Sequence, residues 1–381
     1  MSMKQLLFYI LFVFVVNCFA QDAFQNFGNI QMHDNAQVGF HIDLVNEGVF
    51  NENLGLTGFY NEDISLSISG SEIPRFYDME VDVVNHLFLD VNTEVVNSVG
   101  YIVGDIITPR DTPNISLDYL EDSFFVLEEN EKNTDGYATY SGDLNFSFPI
   151  GDNDKLRPLI TTNSTPNTIV KAAYFDEDPN LPSTFVDNFN TLSLESIVGQ
   201  VSELEFWDFD GPDNALVTLT WDSESEIDNL VDNINALRVV GWHILDKEWK
   251  DLGNSNVSGD LLEGTIDSFI FNPFEYEVLT FGSLIKEDDL IIFNLISSNN
   301  DGSNDTFYIK GIEAFENDLT IFNRWGNVVY KTVNYKNDWG GISNVKNVIK
   351  RHKKLPSGTY YYILNIKNTD KTAAGWLYLA Y

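Results

Sequence analysis

The sequence predicts an all-β protein. Short apolar runs rich in Phe, Tyr, Val and Ile are separated by clusters of Asn, Asp and Gly, a pattern typical of strands joined by turns. Residues 64–70 alternate with a period of two, which places Ile64, Leu66 and Ile68 on one face of a strand. Residues 216–221 read as another strand. We expect three β-rich units to follow an N-terminal targeting segment.

Residues 1–20 are predicted to be a signal peptide. Lys4 precedes an apolar run from residue 6 to 16, and small residues follow, so we expect cleavage between Ala20 and Gln21. The run is too short to span a bilayer, which needs about 20 residues. The alternative is a lipoprotein signal acylated at Cys18, although Asn17 stands where a small residue is expected.

Cys18 is the only cysteine. A chain cleaved after Ala20 would therefore hold no disulfide, although it is bound for an oxidising compartment. The same reasoning excludes a cysteine nucleophile, a zinc–thiolate site and an iron–sulfur cluster.

Residues 21–166 are predicted to form a β-rich N-terminal domain. Its first half repeats short apolar stretches closed by Gly or Asn, for example at residues 28–32, 36–40, 44–50 and 54–56. Closely spaced turns of this kind favour a parallel β-solenoid, in which each rung buries its face on the next. No strict period is visible, so a meandering β-sandwich is the alternative.

Residues 167–287 resemble an immunoglobulin-like β-sandwich of large Bacteroidetes surface proteins. The resemblance is carried by segments 205–207, 217–222, 237–242, 249–253, 264–269 and 281–283. We interpret Trp207, Trp221, Trp242 and Trp249 as core anchors, not as a ligand platform.

One helix is expected within this unit. Ser223 and Glu226 have the spacing of a capping box, and apolar residues then recur at helical spacing from Ile227 to Leu237.

Residues 288–381 carry the most specific pattern in the chain. Five blocks follow in order: Asn-Asn-Asp-Gly at 299–302, Asn-Arg-Trp-Gly-Asn at 323–327, Asn-Asp-Trp-Gly-Gly at 337–341, Leu-Pro-Ser-Gly-Thr-Tyr-Tyr-Tyr at 355–362, and Gly-Trp-Leu-Tyr at 375–378. The series resembles the gliding motility-associated C-terminal domain of Bacteroidetes, the type B sorting domain of the type IX secretion system. We also expect Gly326-Asn327 to form a two-residue type II′ hairpin turn.

This resemblance implies a C-terminal β-sandwich and export to the outer surface or the medium of a Gram-negative bacterium. It also implies recognition by the type IX translocon and work with an outer-membrane partner of the PorP/SprF type. The chain departs from the pattern at Ser298, where proline is common, at Gly340, where Asp is usual, and at its end, Ala380-Tyr381, which lacks the frequent basic residue.

Charge changes sharply where this resemblance begins. Residues 288–381 contain 11 Lys and Arg against 9 Asp and Glu, whereas residues 21–287 contain 10 against 49. With Lys4, the two segments sum to the net charge of −36. A body this acidic repels nucleic acid and anionic lipid, so a nucleic-acid function is excluded.

The sequence offers little catalytic chemistry. It contains none of the usual nucleophile, zinc-protease, phosphate-loop or dinucleotide motifs, and its five histidines are scattered. The inorganic ligand worth naming is calcium. Asn300, Asp301, Asn304 and Asp305 surround a glycine turn with oxygen-bearing side chains, and residues 208–213 form a similar partial loop. A plain Asx-rich turn is the competing interpretation at both places.

We therefore expect a secreted or surface-bound protein that is not an enzyme and that acts by binding or assembly. An adhesin or a filament component linked to gliding motility fits this expectation, with self-association through exposed strand edges. The alternative is a secreted glycan-binding module or hydrolase, which would need a pocket combining carboxylates with aromatic rings.

Overall fold

A computed structural model describes residues 23–345, 354–367 and 371–381. Strands make up 51 % of the structure and helices 5 %, counted over the described residues, which confirms the all-β prediction. The described residues divide into two compact units, one of residues 23–158 and 165–174 and the other of residues 159–164 and the described part of 175–381. Among the described residues, no helix has the length and apolar character needed to cross a membrane.

The first unit is a parallel β-solenoid. Its strands in chain order are β1 (Ala23–Asn26), β2 (Asn29–Met32), β3 (Gln37–Phe40), β4 (Asp43–Asn46), β5 (Val49–Asn53), β6 (Leu56–Asn61), β7 (Leu66–Gly70), β8 (Arg75–Val83), β9 (Leu87–Leu89), β10 (Thr93–Val103), β11 (Ile106–Ile107), β12 (Leu117–Leu120), β13 (Phe124–Val126), β14 (Thr134–Asp135), β15 (Ala138–Ser141), β16 (Asn145–Phe148), β17 (Ile150–Asp152) and β18 (Lys155–Leu156). The next strand, β19 (Leu159–Asn163), belongs to the second unit, and β20 (Val170–Phe175) returns to close the first.

Each rung of the solenoid stacks in parallel on the next. One sheet runs β1-β4-β7-β9-β11-β14-β17, and another face is built by the parallel pairs of β3, β6, β8, β10, β12 and β15. Phe24 lies beside Leu44, and Leu44 lies beside Ile68. The alternation predicted for Leu66 and Ile68 is confirmed, since both are buried, but Ile64 precedes the strand and is exposed.

A ladder of amides ties the first rungs together. Asn26 donates from Nδ2 to Oδ1 of Asn46 at 2.7 Å, and Asn46 donates to the carbonyl of Glu72 at 2.9 Å. Both asparagines are buried, so each would be left with unpaired polar atoms if its neighbour were removed. Gly70 takes the same position one rung later with φ +121°, and a Cβ there would lie 2.1 Å from the Asn46 carbonyl oxygen.

An arginine clamps the last rungs of this unit. Arg110 donates to the carboxylate of Asp135 at 2.6 Å and to the carbonyl of Gly151 at 2.9 Å. It also donates to the carbonyl of Tyr174 in β20. Because β20 runs antiparallel to β15, the clamp joins the closing strand to the stacked rungs.

The second unit begins as a sandwich of two antiparallel sheets. Its strands are β19, β21 (Val198–Val201), β22 (Phe206–Asp210), β23 (Ala215–Trp221), β24 (Leu237–His243), β25 (Glu248–Gly253), β26 (Asn256–Gly259), β27 (Gly264–Asp267) and β28 (Tyr276–Leu284). One sheet pairs β25, β24, β28 and β22, with β21 also paired to β28, and the other runs β19-β23-β27-β26. The ring of Phe281 meets Trp207 at 5.3 Å and Trp221 at 5.9 Å, which joins the two sheets.

The prediction that the four tryptophans of this sandwich are core anchors is confirmed. Trp207, Trp221, Trp242 and Trp249 are all buried. Trp242 and Trp249 face each other across neighbouring strands with ring centroids 5.7 Å apart. Edge-to-face packing of such rings contributes beyond the area that they bury.

The single inserted helix predicted for residues 223–237 is wrong. The segment holds a 3-10 helix (Ser223–Ser225), one short α-helix α1 (Ile227–Leu230) and another 3-10 helix (Ile234–Ala236). Asp222, not Ser223, caps the first turn by accepting from the N–H of Glu224. Glu226 has a left-handed backbone, φ 48°, which breaks the helix at the position where the capping box needs helical geometry.

The C-terminal segment of the second unit has a hydrophobic core of its own. Its strands are β29 (Ile291–Ile292), β30 (Leu295–Ser297), β31 (Ile309–Lys310), β32 (Asn317–Phe322), β33 (Val328–Val333), β34 (Gly358–Ile366) and β35 (Thr372–Ala380). Three further 3-10 turns lie in the second unit, at Pro273–Glu275, Glu287–Asp289 and Ile312–Ala314. The buried side chains from Ile296 to Leu379 form one cluster, while the segment belongs to the same compact unit as the sandwich, so the domain boundary at residue 288 stays a prediction.

The predicted boundary at residues 166 and 167 differs from the observed division. Residues 159–164 pack with the second unit, because β19 pairs with β23 over its whole length, Leu159 lying beside Leu219 and Asn163 beside Ala215. Residues 165–174 pack with the first unit through β20. The chain therefore passes into the second unit at residue 159, returns to the first unit at residue 165, and passes into the second unit again at residue 175.

Candidate functional site

The C-terminal segment is built around one five-stranded sheet. The strands lie in the order β30-β35-β34-β32-β33, and β29 pairs with β31 beside it. Alternate side chains of β34 and β35 enter the core, namely Tyr360, Tyr362, Leu364, Leu377 and Leu379. The side chains between them point away from it, so the sheet has one buried and one open face.

In the Trp-Gly-Gly block, hydrogen bonds hold the side chain and the backbone of Trp339 in the core. Trp339 is buried and donates from Nε1 to the carbonyl of Ile342 at 2.9 Å. Its backbone N–H donates to the Tyr335 hydroxyl at 3.2 Å, and that hydroxyl donates in turn to the carbonyl of Phe307. Burial raises the pKa of Tyr335 far above its ordinary value, so it stays a neutral donor. Gly341 has φ +85°, where a Cβ would lie 2.8 Å from Leu379.

The hairpin at the Arg-Trp-Gly block differs from the predicted two-residue turn. The backbone N–H of Asn323 donates to the carbonyl of Asn327 at 2.9 Å, and the backbone N–H of Gly326 donates to the carbonyl of Asn323 at 2.9 Å. Three residues therefore form the loop. Gly326 occupies the left-handed position, φ +78°, and a bulge follows where Phe322 pairs with Val328. This is the type I turn followed by a bulge that three-residue loops favour.

The Asn-Asn-Asp-Gly loop is held by its own side chains. Asp305 accepts from the N–H of Asn300 at 2.6 Å through one carboxylate oxygen and from the N–H of Gly302 at 2.9 Å through the other. Asp301 accepts from the N–H of Ser303 at 2.8 Å and from the Asn299 amide at 2.7 Å. These bonds, the one from Asn299 foremost, lower the pKa of Asp301.

The calcium candidates Asn300, Asp301, Asn304 and Asp305 are thus brought together in one exposed loop, as the sequence predicts. Their carboxylates already satisfy backbone donors, which is how an Asx-rich turn holds itself. Within residues 23–345, 354–367 and 371–381, no three His, Cys, Asp or Glu side chains come together as a metal-holding group. Calcium at this loop stays a prediction.

The second calcium candidate, residues 208–213, is not a single loop. Asp208 and Asp210 belong to β22, where Asp208 is nearly buried, and only the residues after Asp210 form a turn. The predicted cleavage site, Ala20 and Gln21, lies outside the described residues, as does His352.

The open face of the C-terminal sheet was not identified from the sequence. Leu295, Tyr378 and Thr359 lie side by side across three strands, and Trp376, Tyr361 and Phe322 form the next row. Leu295, Tyr361, Trp376 and Tyr378 are 43–57 % exposed. The outward positions of β34 and β35 mix apolar residues with polar ones such as Thr359 and Asn365, so their alternation alone does not reveal the face, which depends on the two strands becoming neighbours.

A second surface feature lies in the solenoid. A groove of about 400 Å³ is lined by Asp122, Ser123, Phe124, Phe125, Tyr140, Asp143, Asn145, Phe146 and Ser147. Tyr140 and Phe146 stack at 4.0 Å, and burial, with Asp143 and Asp122 nearby, raises the pKa of Tyr140. The Ser123 hydroxyl is buried and has no hydrogen-bond partner among the described residues.

Comparison with known proteins identifies the C-terminal segment. Residues 290–379 match the family model of the CHU_C Type IX secretion signal domain. No curated protein and no solved structure matches the chain.

Proposed function

Because the chain carries a type IX secretion signal domain and is therefore secreted or displayed on the cell surface, we propose that it works there by binding and assembly and not by catalysis. It serves as an adhesin or a filament component linked to gliding motility. Its partners are the type IX translocon, an outer-membrane protein of the PorP/SprF type, and further copies of itself.

One observation carries the assembly proposal, namely the first rung of the solenoid. Among the described residues, β1, β2 and β3 pair with neighbours on one side only. Phe27 beside this rung is 74 % exposed, and Phe24 is only half covered, through its contact with Phe40. An apolar rung with open backbone edges is a template for pairing with another strand.

Crosslinking on intact cells followed by mass spectrometry tests the proposal. We expect crosslinks between copies and to an outer-membrane protein, and Phe27→Glu should lower crosslinking between copies by about fivefold because it places a charge at the open rung. Leu245→Glu, at an equally exposed apolar residue of the sandwich, is the matched control and should leave it unchanged. A monomer without partners on the cell surface would refute the proposal.

Glycan binding is the second candidate, and the groove around Tyr140 favours it. The groove joins two carboxylates, Asp122 and Asp143, to four aromatic rings, and its volume suits a small ligand. The exposed ring of Phe124 would stack on the ligand, and the exposed carboxylates of Asp122 and Asp143 would accept hydrogen bonds from its hydroxyl groups. Binding assays on purified protein with surface polysaccharides, comparing Phe124→Ala with Phe274→Ala, test this candidate. Equal binding by the two variants would reject it.

A further inference from the structure

The C-terminal sheet has an outward face that nothing in the described chain covers. Three aromatic side chains, Tyr361, Trp376 and Tyr378, lie on adjacent strands with Leu295 and Ile363 beside them. Each ring is about half exposed, so together they leave on the order of 300 Å² of aromatic surface in water. Contiguous apolar patches of this size on soluble proteins are commonly binding surfaces.

The same face is almost free of acidic groups, in a chain with 58 of them. Among the outward residues of the described strands, Asp318 is the acidic one, and it lies at the far end of the sheet, paired with Lys367 at 3.5 Å. Lys331 lies in the row next to the aromatic rows. A surface kept only for solubility would carry charge here, as the rest of the chain does.

The other exposed apolar residues of this segment, among them Trp325 at 69 %, do not belong to the two aromatic rows of the sheet. The inward side chains form its own core, so they can be bound only if the domain unfolds. The carboxylates of the 299–305 loop accept from their own backbone, and the guanidinium of Arg324 covers the Trp325 ring at 4.0 Å. The outward sheet face differs from them because its rings lie in register on paired strands.

We infer that this face, defined by Leu295, Phe322, Tyr361, Trp376 and Tyr378, is the docking surface for a protein subunit of the type IX machinery. The inference rests on the proposed export function, since all five residues lie within the matched secretion signal domain and such a signal acts by being bound. The partner surface is flat, apolar and uncharged at its centre, because it must cover two rows of rings without leaving a charge unpaired.

Export of the full chain tests the inference in a host with a type IX system. The double variant Tyr361→Ser/Trp376→Ser should lower the amount on the surface and in the medium by about tenfold and leave the protein in the periplasm. Thr359→Asp should act in the same direction, because it places a charge in the aromatic rows without removing a core contact. Phe274→Ser, at an exposed ring outside the matched segment, should be exported normally.

Two further measurements separate the outcomes. The purified variants should melt within about 2 °C of the unchanged chain, since the altered side chains are outward-facing. A photo-crosslinking residue at position 361 should capture an outer-membrane protein of the machinery. Capture of lipid or of a second copy, or normal export of the folded double variant, would overturn the docking surface. If deletion of residues 288–381 also left export intact, the export function itself would fail.

Discussion

At the scale of single residues, the buried carboxyl group of Asp105 and the half-buried one of Asp118 are expected to make the stability of the solenoid depend on pH. Burial raises the pKa of Asp105 to about 6, although the N–H of Asn133 and the nearby His86 favour its charged form. Burial raises the pKa of Asp118 to about 6 as well, opposed by the Ser116 hydroxyl. Each carboxyl group binds its proton more tightly in the folded chain than in the unfolded one. The stabilisation that this proton gives to the folded chain is complete below about pH 4 and is lost as pH rises through 6.

We therefore predict that the free energy of unfolding falls between pH 4 and pH 7. Asp105→Asn should stabilise the chain at pH 7.5 by about 1–3 kcal/mol and flatten this slope, since the amide oxygen still accepts from Asn133. Denaturant unfolding at several pH values measures it, with Asp111→Asn, an exposed acid, as control. A slope that is identical in the two variants would contradict the assignment.

The Asn299–Asp305 loop allows a second test with single residues. Asp305→Ala should destabilise the C-terminal domain by about 1–2 kcal/mol, because two backbone N–H groups lose their acceptor. Since these oxygens are already engaged, we expect a chelator to change the melting temperature little. A fall of several degrees on chelation that disappears in Asp301→Ala would instead establish calcium at this loop.

At the scale of elements, strands were predictable and irregular turns were not. The alternation of residues 215–221 fixes a strand because a period of two survives in any sheet. The helical spacing of residues 227–237 predicted one helix, which is wrong because Glu226 adopts a left-handed backbone and Leu237 already begins β24. Neither the pairing order of the rungs nor the open face of the C-terminal sheet follows from local sequence, since both depend on which strands become neighbours.

The three-residue hairpin gives a prediction at this scale. A Cβ at Gly326 would meet nothing within 4 Å, so the backbone conformation alone decides the effect of a substitution. Gly326→Ala should destabilise the C-terminal domain by about 1 kcal/mol, and Gly326→Asn by less, because Asn tolerates the left-handed region. Thermal melting of the full chain distinguishes them. Equal effects of the two variants would mean that the turn is not held at φ +78°.

At the scale of the whole molecule, charge governs association. The acidic body repels its own copies, and salt screens that repulsion beyond about 8–10 Å. We predict that association between copies strengthens as NaCl rises from about 50 to 300 mM and that Phe27→Glu weakens it at every salt concentration. Sedimentation velocity measures both. Dissociation with added salt would indicate that ion pairs, not the apolar rung, hold the copies together.

The C-terminal sorting signal was the best-predicted property at this scale, because some of its sequence blocks encode buried contacts such as that between Trp339 and Tyr360. Deleting residues 288–381 should retain the protein in the periplasm, and the same segment behind a signal peptide should export a fluorescent carrier. Normal secretion of the truncated chain would contradict this role.

The function of the protein after export could not be predicted, since it depends on surfaces assembled from distant strands.

The interleaved order of the two units has a consequence for how the chain can be divided and released. Residues 159–164 come before residues 165–174 but belong to the later unit. No single cut of the gene separates the units intact, since it removes either β19 from the sandwich or the Tyr174 carbonyl from Arg110. During synthesis or passage through a pore from the N-terminus, the first strand of the second unit emerges while the first unit still lacks its closing strand. Completion of the two units therefore overlaps in time.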